Sequence, residues 1–117
     1  MTTIPEDGYL LRIFIGESDK LNGKPLYEWL VGQAKVRGLA GATVLRAMMG
    51  FGAHTKVIHT FKIERLSEDL PIVIEIVDSK EKIEDFLAFA EQNIKRGMLA
   101  TVEKVQVRVY RGGEVNK

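Results

Sequence analysis

A chain of 117 residues makes one domain, long enough to bury about two-thirds of the surface its unfolded form exposes. With 45% hydrophobic and 28% charged residues it has the composition of an ordinary globule, and a formal charge of +1 excludes the strong basic excess of a protein built to hold nucleic acid. It has no cysteine, so a disulfide framework, a thiolate nucleophile and a zinc-thiolate site are excluded too.

Residues 1–8 are polar around Pro5 and Gly8 and read as a loose tail, as do residues 112–117 at the other end. The opening lacks the basic and apolar regions of a signal peptide, and no run approaches the ~20 apolar residues of a membrane span. The expectation is a cytoplasmic protein. Tyr9 to Ile15 alternates as a strand, with Leu11, Ile13 and Ile15 on one face and Leu10, Arg12 and Phe14 on the other. Gly16 to Lys24 is a loop. Pro25 suits a first helical position, because its missing N–H would be unpaired there anyway. That helix should run to Arg37 and stop at Gly38, burying Leu26, Leu30 and Ala34.

Ala42 to Met49 is the second strand, with Val44, Arg46 and Met48 on one face and Thr43, Leu45, Ala47 and Met49 on the other. From Gly50 to about Ser67 there is no clean period, and a connection this long in a compact domain usually carries function. Leu70 to Val77 is the third strand, with Ile72, Ile74 and Ile76 on one side. Asp78 and Glu81 have the spacing of a capping pair opening a second helix. Ile83, Phe86, Leu87, Ala90 and Ile94 give that helix its apolar stripe, and Arg96-Gly97 ends it. Met98 to Tyr110 is the fourth strand, with Val105, Val107 and Val109 on its apolar face.

The order β-α-β-β-α-β predicts a single α+β domain over residues 1–117. Right-handed crossovers make it a ferredoxin-like sandwich, a four-stranded antiparallel sheet of order 4-1-3-2 with both helices on one face. The helix-free face should then be polar, yet Leu10, Phe14, Val44, Met48, Val73 and Val77 fall on it around Arg12, Arg46 and Glu75. So much apolar surface exceeds what monomers expose and predicts a homotrimer with sheets facing inward, Arg12 or Arg46 pairing with Glu75.

Arg46 to Lys56 holds the strongest candidate for function. Gly50 and Gly52 around Phe51 allow the backbone to turn and bring its N–H groups to a ligand, while Phe51 offers a flat apolar surface and His54 and Lys56 offer donors. An anion carrying an aromatic ring suits such a loop. Lys24, just before a helix N-terminus, and Arg111, at the end of strand four where a neighbouring subunit would lie, are further anion contacts. His54 and His59 without a third ligand make a poor metal site, and Ser18, Ser67 and Ser79 lack a base at any telling spacing. Of the central strands only Phe14 supplies an aromatic, too little for an RNA-stacking platform.

Gly16-Glu17-Ser18-Asp19-Lys20, Gly23-Lys24-Pro25-Leu26, Gly38-Leu39-Ala40-Gly41-Ala42-Thr43-Val44, Met49-Gly50-Phe51-Gly52 and Leu66-Ser67-Glu68-Asp69-Leu70-Pro71-Ile72 together resemble the PII-like proteins of unknown function. The resemblance covers about residues 9–111. It implies a trimer related to the PII nitrogen-signalling proteins, which bind adenine nucleotides in clefts between subunits at the base of a long loop. Here that base corresponds to Gly50, Phe51 and Gly52, and the loop to roughly 53–66. The glycine-rich phosphate loop of PII proteins is replaced by Lys95-Arg96-Gly97-Met98, and no tyrosine lies between Gly50 and Ser67. AMP or ADP is therefore the easier fit than ATP. The resulting expectation is a non-enzymatic regulator without an obligatory cofactor. In it Gly50 and Gly52 offer N–H groups, Phe51 meets the base, and Arg96, Arg111, His54 and Lys24 hold phosphate. A protein or membrane-transporter target would be met through loop 53–66. The alternative is a small-molecule enzyme or metal binder using the same intersubunit cleft.

Overall fold

The computed structural model describes residues 4–52 and 69–112. Its elements in chain order are β1 (Asp7–Gly16), β2 (Lys20–Leu21), β3 (Lys24–Pro25), α1 (Leu26–Val36), β4 (Thr43–Arg46), β5 (Pro71–Asp78), α2 (Lys80–Asn93) and β6 (Leu99–Gln106). Four strands form one antiparallel sheet in the order β4-β5-β1-β6, and β2 and β3 form a separate hairpin. The architecture is the expected ferredoxin-like sandwich.

Alternation in the two central strands decides which face is dry. Leu11, Ile13 and Ile15 of β1 stand opposite Ile76, Ile74 and Ile72 of β5, and all six are buried. Over them lie Leu26, Leu30 and Ala34 of α1 and Ile83, Phe86 and Ala90 of α2, repeating at three- and four-residue steps. Each large apolar side chain buried there contributes about 1.5–3 kcal/mol, which fixes both helices on this face. Trp29 of α1 stacks on Phe89 of α2 with ring centroids 5.4 Å apart, and the Arg37 guanidinium sits 3.5 Å from the centre of the Phe89 ring.

The helix ends have local causes. Gly38 stops α1 as its position suggests: its N–H reaches Lys35 O at 3.1 Å while the Leu39 N–H reaches Ala34 O at 3.0 Å, a Schellman pair. Pro25 is the residue before α1 rather than its first helical residue, because it still pairs with Lys20 in the hairpin. The α2 cap lies one residue later than the Asp78–Glu81 spacing suggests. Ser79 is the N-cap and its Oγ accepts from Lys82 N at 3.2 Å. Asp78 is instead fully buried, its carboxylate accepting from Ala40 N at 2.8 Å and Ser79 N at 2.7 Å. At its far end α2 stops at Asn93, ahead of Arg96-Gly97, where Ile94 adopts an extended conformation and drops into the core.

Pairing register corrects two strand faces. In β4 it is Val44 and Arg46 that stand opposite the core residues Ile74 and Ile72, while Thr43 and Leu45 face the helix-free side. In β6 the helix-side residues are Ala100 and Val102, opposite Ile13 and Leu11. Val105 faces the other way, opposite Gly8, and the strand ends at Gln106, before Val107 and Val109. β4 itself is only Thr43–Arg46, shorter than Ala42 to Met49. β1 begins at Asp7, inside the stretch read as a tail.

Candidate functional site

The helix-free face is built in cross-strand rows. One row runs Leu45-Val73-Phe14-Leu99 across all four strands, with Leu45 47% and Leu99 56% exposed. The next row is Thr43-Glu75-Arg12-Thr101, and beyond it Val77-Leu10-Glu103. Arg12 Nε donates to Glu75 Oε2 at 3.0 Å and its Nη1 to Glu103 Oε1 at 3.2 Å. The hydrogen bond to Glu75 leads the causes that raise the Arg12 pKa above its ordinary value, so the guanidinium stays charged. The Arg12–Glu75 pair is thus one of the two foreseen alternatives. Arg46 takes another partner on the opposite face, its Nε donating to Glu17 Oε2 at 2.9 Å.

At the end of the sheet where β1 finishes, several segments are stitched together. Glu17 N donates to Leu70 O at 2.9 Å, Ser18 N to Asp69 Oδ1 at 3.1 Å and Ala47 N to Pro71 O at 2.9 Å. These bonds hold the start and finish of the long β4–β5 connection against the same strand end. Among the described residues, Glu17 Oε1 is buried there without a hydrogen-bond partner. Gly50 follows with φ of 154°, a conformation side chains rarely adopt, and a Cβ on it would lie 3.2 Å from Pro71 Cγ. The backbone angle favours glycine, and Pro71 leaves little room for a side chain. Phe51 is 68% exposed, beside the exposed Met48 and Met49.

The topology brings Lys24 and Arg96 to this same end. Lys24 belongs to the hairpin that follows β1, and Arg96 precedes β6, whose Leu99 pairs with Phe14. The hairpin turns through Asn22 and Gly23 at φ of 54° and 78°, the geometry of a two-residue type I′ turn, in what reads as plain loop. Arg111 is at the other end. Its neighbour Tyr110 donates from its hydroxyl to Ala40 O at 3.5 Å, and Ala40 sits on Asp78, opposite the start of β1 at Tyr9. Within one chain, Gly50, Phe51, Gly52, Lys24 and Arg96 share an end of the sheet and Arg111 does not. His54, Lys56, His59 and loop 53–66 lie outside the described residues. Among the described residues no group of three or more His, Asp or Glu is placed to hold a metal ion.

Two cavities border these ends. A groove of about 490 Å3 is lined by Lys20, Leu21, Leu26, Ile94, Lys95 and Arg96 among others. A smaller one of about 250 Å3 lies by Ala40, Gly41, Ala42, Thr43 and Tyr110. Lys20 is absent from the expected contacts, and the signal that reveals it is Asn22-Gly23, which folds Lys20 and Leu21 back as a strand. Among the described residues no helix is long and apolar enough to cross a membrane.

Comparison with solved structures returns the same architecture. A PII-like signalling protein of Thermus thermophilus superposes with a TM-score of 0.61 at 22% identity, covering 90% of this chain and 93% of that one. CPII of Thiomonas intermedia, in a structure bound to ADP, AMP and acetate, gives 0.59 at 19% identity over 86% of this chain and 88% of that one. The fold is therefore PII-like. In sequence, a UPF0166 protein of Aquifex aeolicus is 48% identical over 98 residues, 84% of this chain and 90% of that protein. The model of the family described as uncharacterized ACR, DUF190, matches residues 8–107. The chain belongs to the DUF190 family and has the fold of the PII-like proteins.

Proposed function

We propose that the protein is a non-enzymatic, trimeric regulator that binds an adenine nucleotide, AMP or ADP in preference to ATP, between subunits near Gly50-Phe51-Gly52. The observation that carries this reading is the apolar row Leu45-Val73-Phe14-Leu99 on a sheet face that no helix covers. An exposed apolar band of this kind marks an interaction surface, and copies packed face to face would cover it. Assembly also answers the placement of the basic residues. Arg111 can join Gly50, Phe51, Lys24 and Arg96 at one ligand only when it comes from another copy, since in its own chain it lies at the far end of the sheet.

In this reading the backbone N–H groups at Gly50 and Gly52 and the basic side chains of Lys24, Arg96 and the neighbouring Arg111, with His54, take phosphate, and Phe51 takes the base. The ADP and AMP bound by CPII support this ligand class. Ligand at the base of the β4–β5 connection would set what loop 53–66 presents to a protein or transporter target in the cytoplasm. Isothermal titration of the assembled protein with AMP, ADP and ATP tests the proposal. Binding of AMP or ADP more tightly than ATP is expected, and no heat from any of them discards it.

A further inference from the structure

The last residue of β6 paired in the sheet is Gln106, opposite Asp7, and Arg111 lies well beyond that point. Two attachments hold the stretch between them. Val107 N donates to Glu6 O at 2.8 Å. Tyr110 then leans on the connection between α1 and β4: its hydroxyl donates to Ala40 O at 3.5 Å, and it lines the cavity of about 250 Å3 together with Gly41 and Ala42. The chain on the far side of Arg111 closes on the same ring. A Cβ on Gly112 would lie 3.1 Å from the Tyr110 hydroxyl oxygen and 3.4 Å from its Cζ. Arg111 is thus bracketed by two neighbours in contact with each other.

The surface that Tyr110 rests on is itself fixed. Ala40 N donates to Oδ2 of the fully buried Asp78 at 2.8 Å, and Lys82 Nζ of α2 donates to Gly38 O at 3.0 Å. The α1–β4 connection is therefore tied at two points to the junction of β5 and α2. A hydroxyl contact of 3.5 Å is too long to hold a chain end alone. The ring supplies the rest: Tyr110 is only 39% exposed, although it lies outside every helix and strand.

We propose that Tyr110 is the positioning residue of Arg111, fixing the backbone from which that guanidinium reaches the nucleotide phosphate of a neighbouring copy. This role rests on the intersubunit site described above and adds to it the group that preorganises Arg111. An arginine loses rotamer freedom when it grips an anion, and a wandering backbone beneath it would deepen that loss. Tyr110 removes the second part before the ligand arrives. Because Arg111 meets phosphate and no other part of the ligand, Tyr110 should matter to a nucleotide and be immaterial to its nucleoside.

The test is calorimetric titration of Tyr110→Ala, Arg111→Ala and the double variant with AMP and with adenosine, beside the parent chain. Tyr110→Ala should lose about fivefold or more in AMP affinity and keep the parent's affinity for adenosine. Combined with Arg111→Ala it should add no further loss, since no guanidinium is then left to position. Tyr110 is part-exposed on an irregular segment, so circular dichroism should show the variant folded like the parent. Full AMP affinity in Tyr110→Ala overturns the proposal, and so does a loss that simply adds to that of Arg111→Ala. An equal loss for adenosine would make Tyr110 a contact of the base or ribose, and a smaller assembly in sedimentation would make it an interface residue. Either overturns the positioning role. A parent chain that gives no heat with AMP removes the nucleotide site itself. A parent and a Tyr110→Ala variant that bind AMP equally well leave that site standing and remove only the part assigned to Tyr110.

Discussion

Arg12 donates to Glu75 at 3.0 Å across the middle of the helix-free face, one row from an unbroken line of apolar side chains. Glu103 holds the second arm of the same guanidinium at 3.2 Å. The arrangement keeps a charged group flat against the sheet and leaves the neighbouring row uncovered. On an open surface such a pair contributes little, because water screens it. Covered by another copy, it would be costly to break. Arg12→Ala should therefore leave the thermal unfolding of dilute protein nearly unchanged and shift the assembly toward smaller species in sedimentation at micromolar concentration.

Leu99 supplies the sharper probe of the same surface. It is 56% exposed at the edge of the apolar row, so Leu99→Glu costs the single chain little. In an assembly it would bury a carboxylate without a partner. Sedimentation velocity should show a monomer whose circular dichroism matches the parent. A Leu99→Glu variant that assembles as the proposed trimer would place the subunit contact elsewhere.

Gly50 links backbone geometry to the proposed nucleotide site. At φ of 154°, with Pro71 3.2 Å from where a Cβ would be, Gly50→Ala strains the chain by about 1–3 kcal/mol or forces it to another conformation. Calorimetry should show AMP and ADP binding weakened at least tenfold. Phe51→Ala, at a residue already 68% exposed, should weaken binding with no change in melting temperature.

Asp78 is the buried charge on which two segments converge. Replacing it by Ala leaves the part-buried N–H groups of Ala40 and Ser79 without this acceptor and empties a fully buried side-chain position. The expected cost is about 2–4 kcal/mol, read from urea denaturation. Asp78→Asn keeps one acceptor oxygen and should cost less.

Much of the fold was legible because the central strands and helices carry one consistent period each. Leu11-Ile13-Ile15 and Ile72-Ile74-Ile76 admit a single inward face, and Ile83, Phe86 and Ala90 admit a single helical stripe. The edge strands were not legible for a specific reason. Val44 and Leu45 are adjacent and both apolar, so alternation alone cannot say which points to the core; pairing with Ile74 decides it. In β6, Ala100 and Val102 compete with Val105, Val107 and Val109 for the same reason, and Leu11 opposite Val102 selects the former. Of the candidate site, the need for glycine at position 50 was readable from Gly-Phe-Gly. The separation of Arg111 from it was not, because that depends on which end of the sheet the chain returns to. Asp78 was misread because Ser79, the better cap, stands next to it and frees the carboxylate for Ala40.

The bonds that pin Glu17 to Leu70, Ser18 to Asp69 and Ala47 to Pro71 have a consequence for how this protein can change over generations. They settle the span between the two strands before the connecting residues contribute anything. Doubling the length of a closed connection adds only about 0.6 kcal/mol to its closure. The connection can thus be lengthened, shortened or wholly rewritten at small cost, while the sandwich beneath it stays as it is.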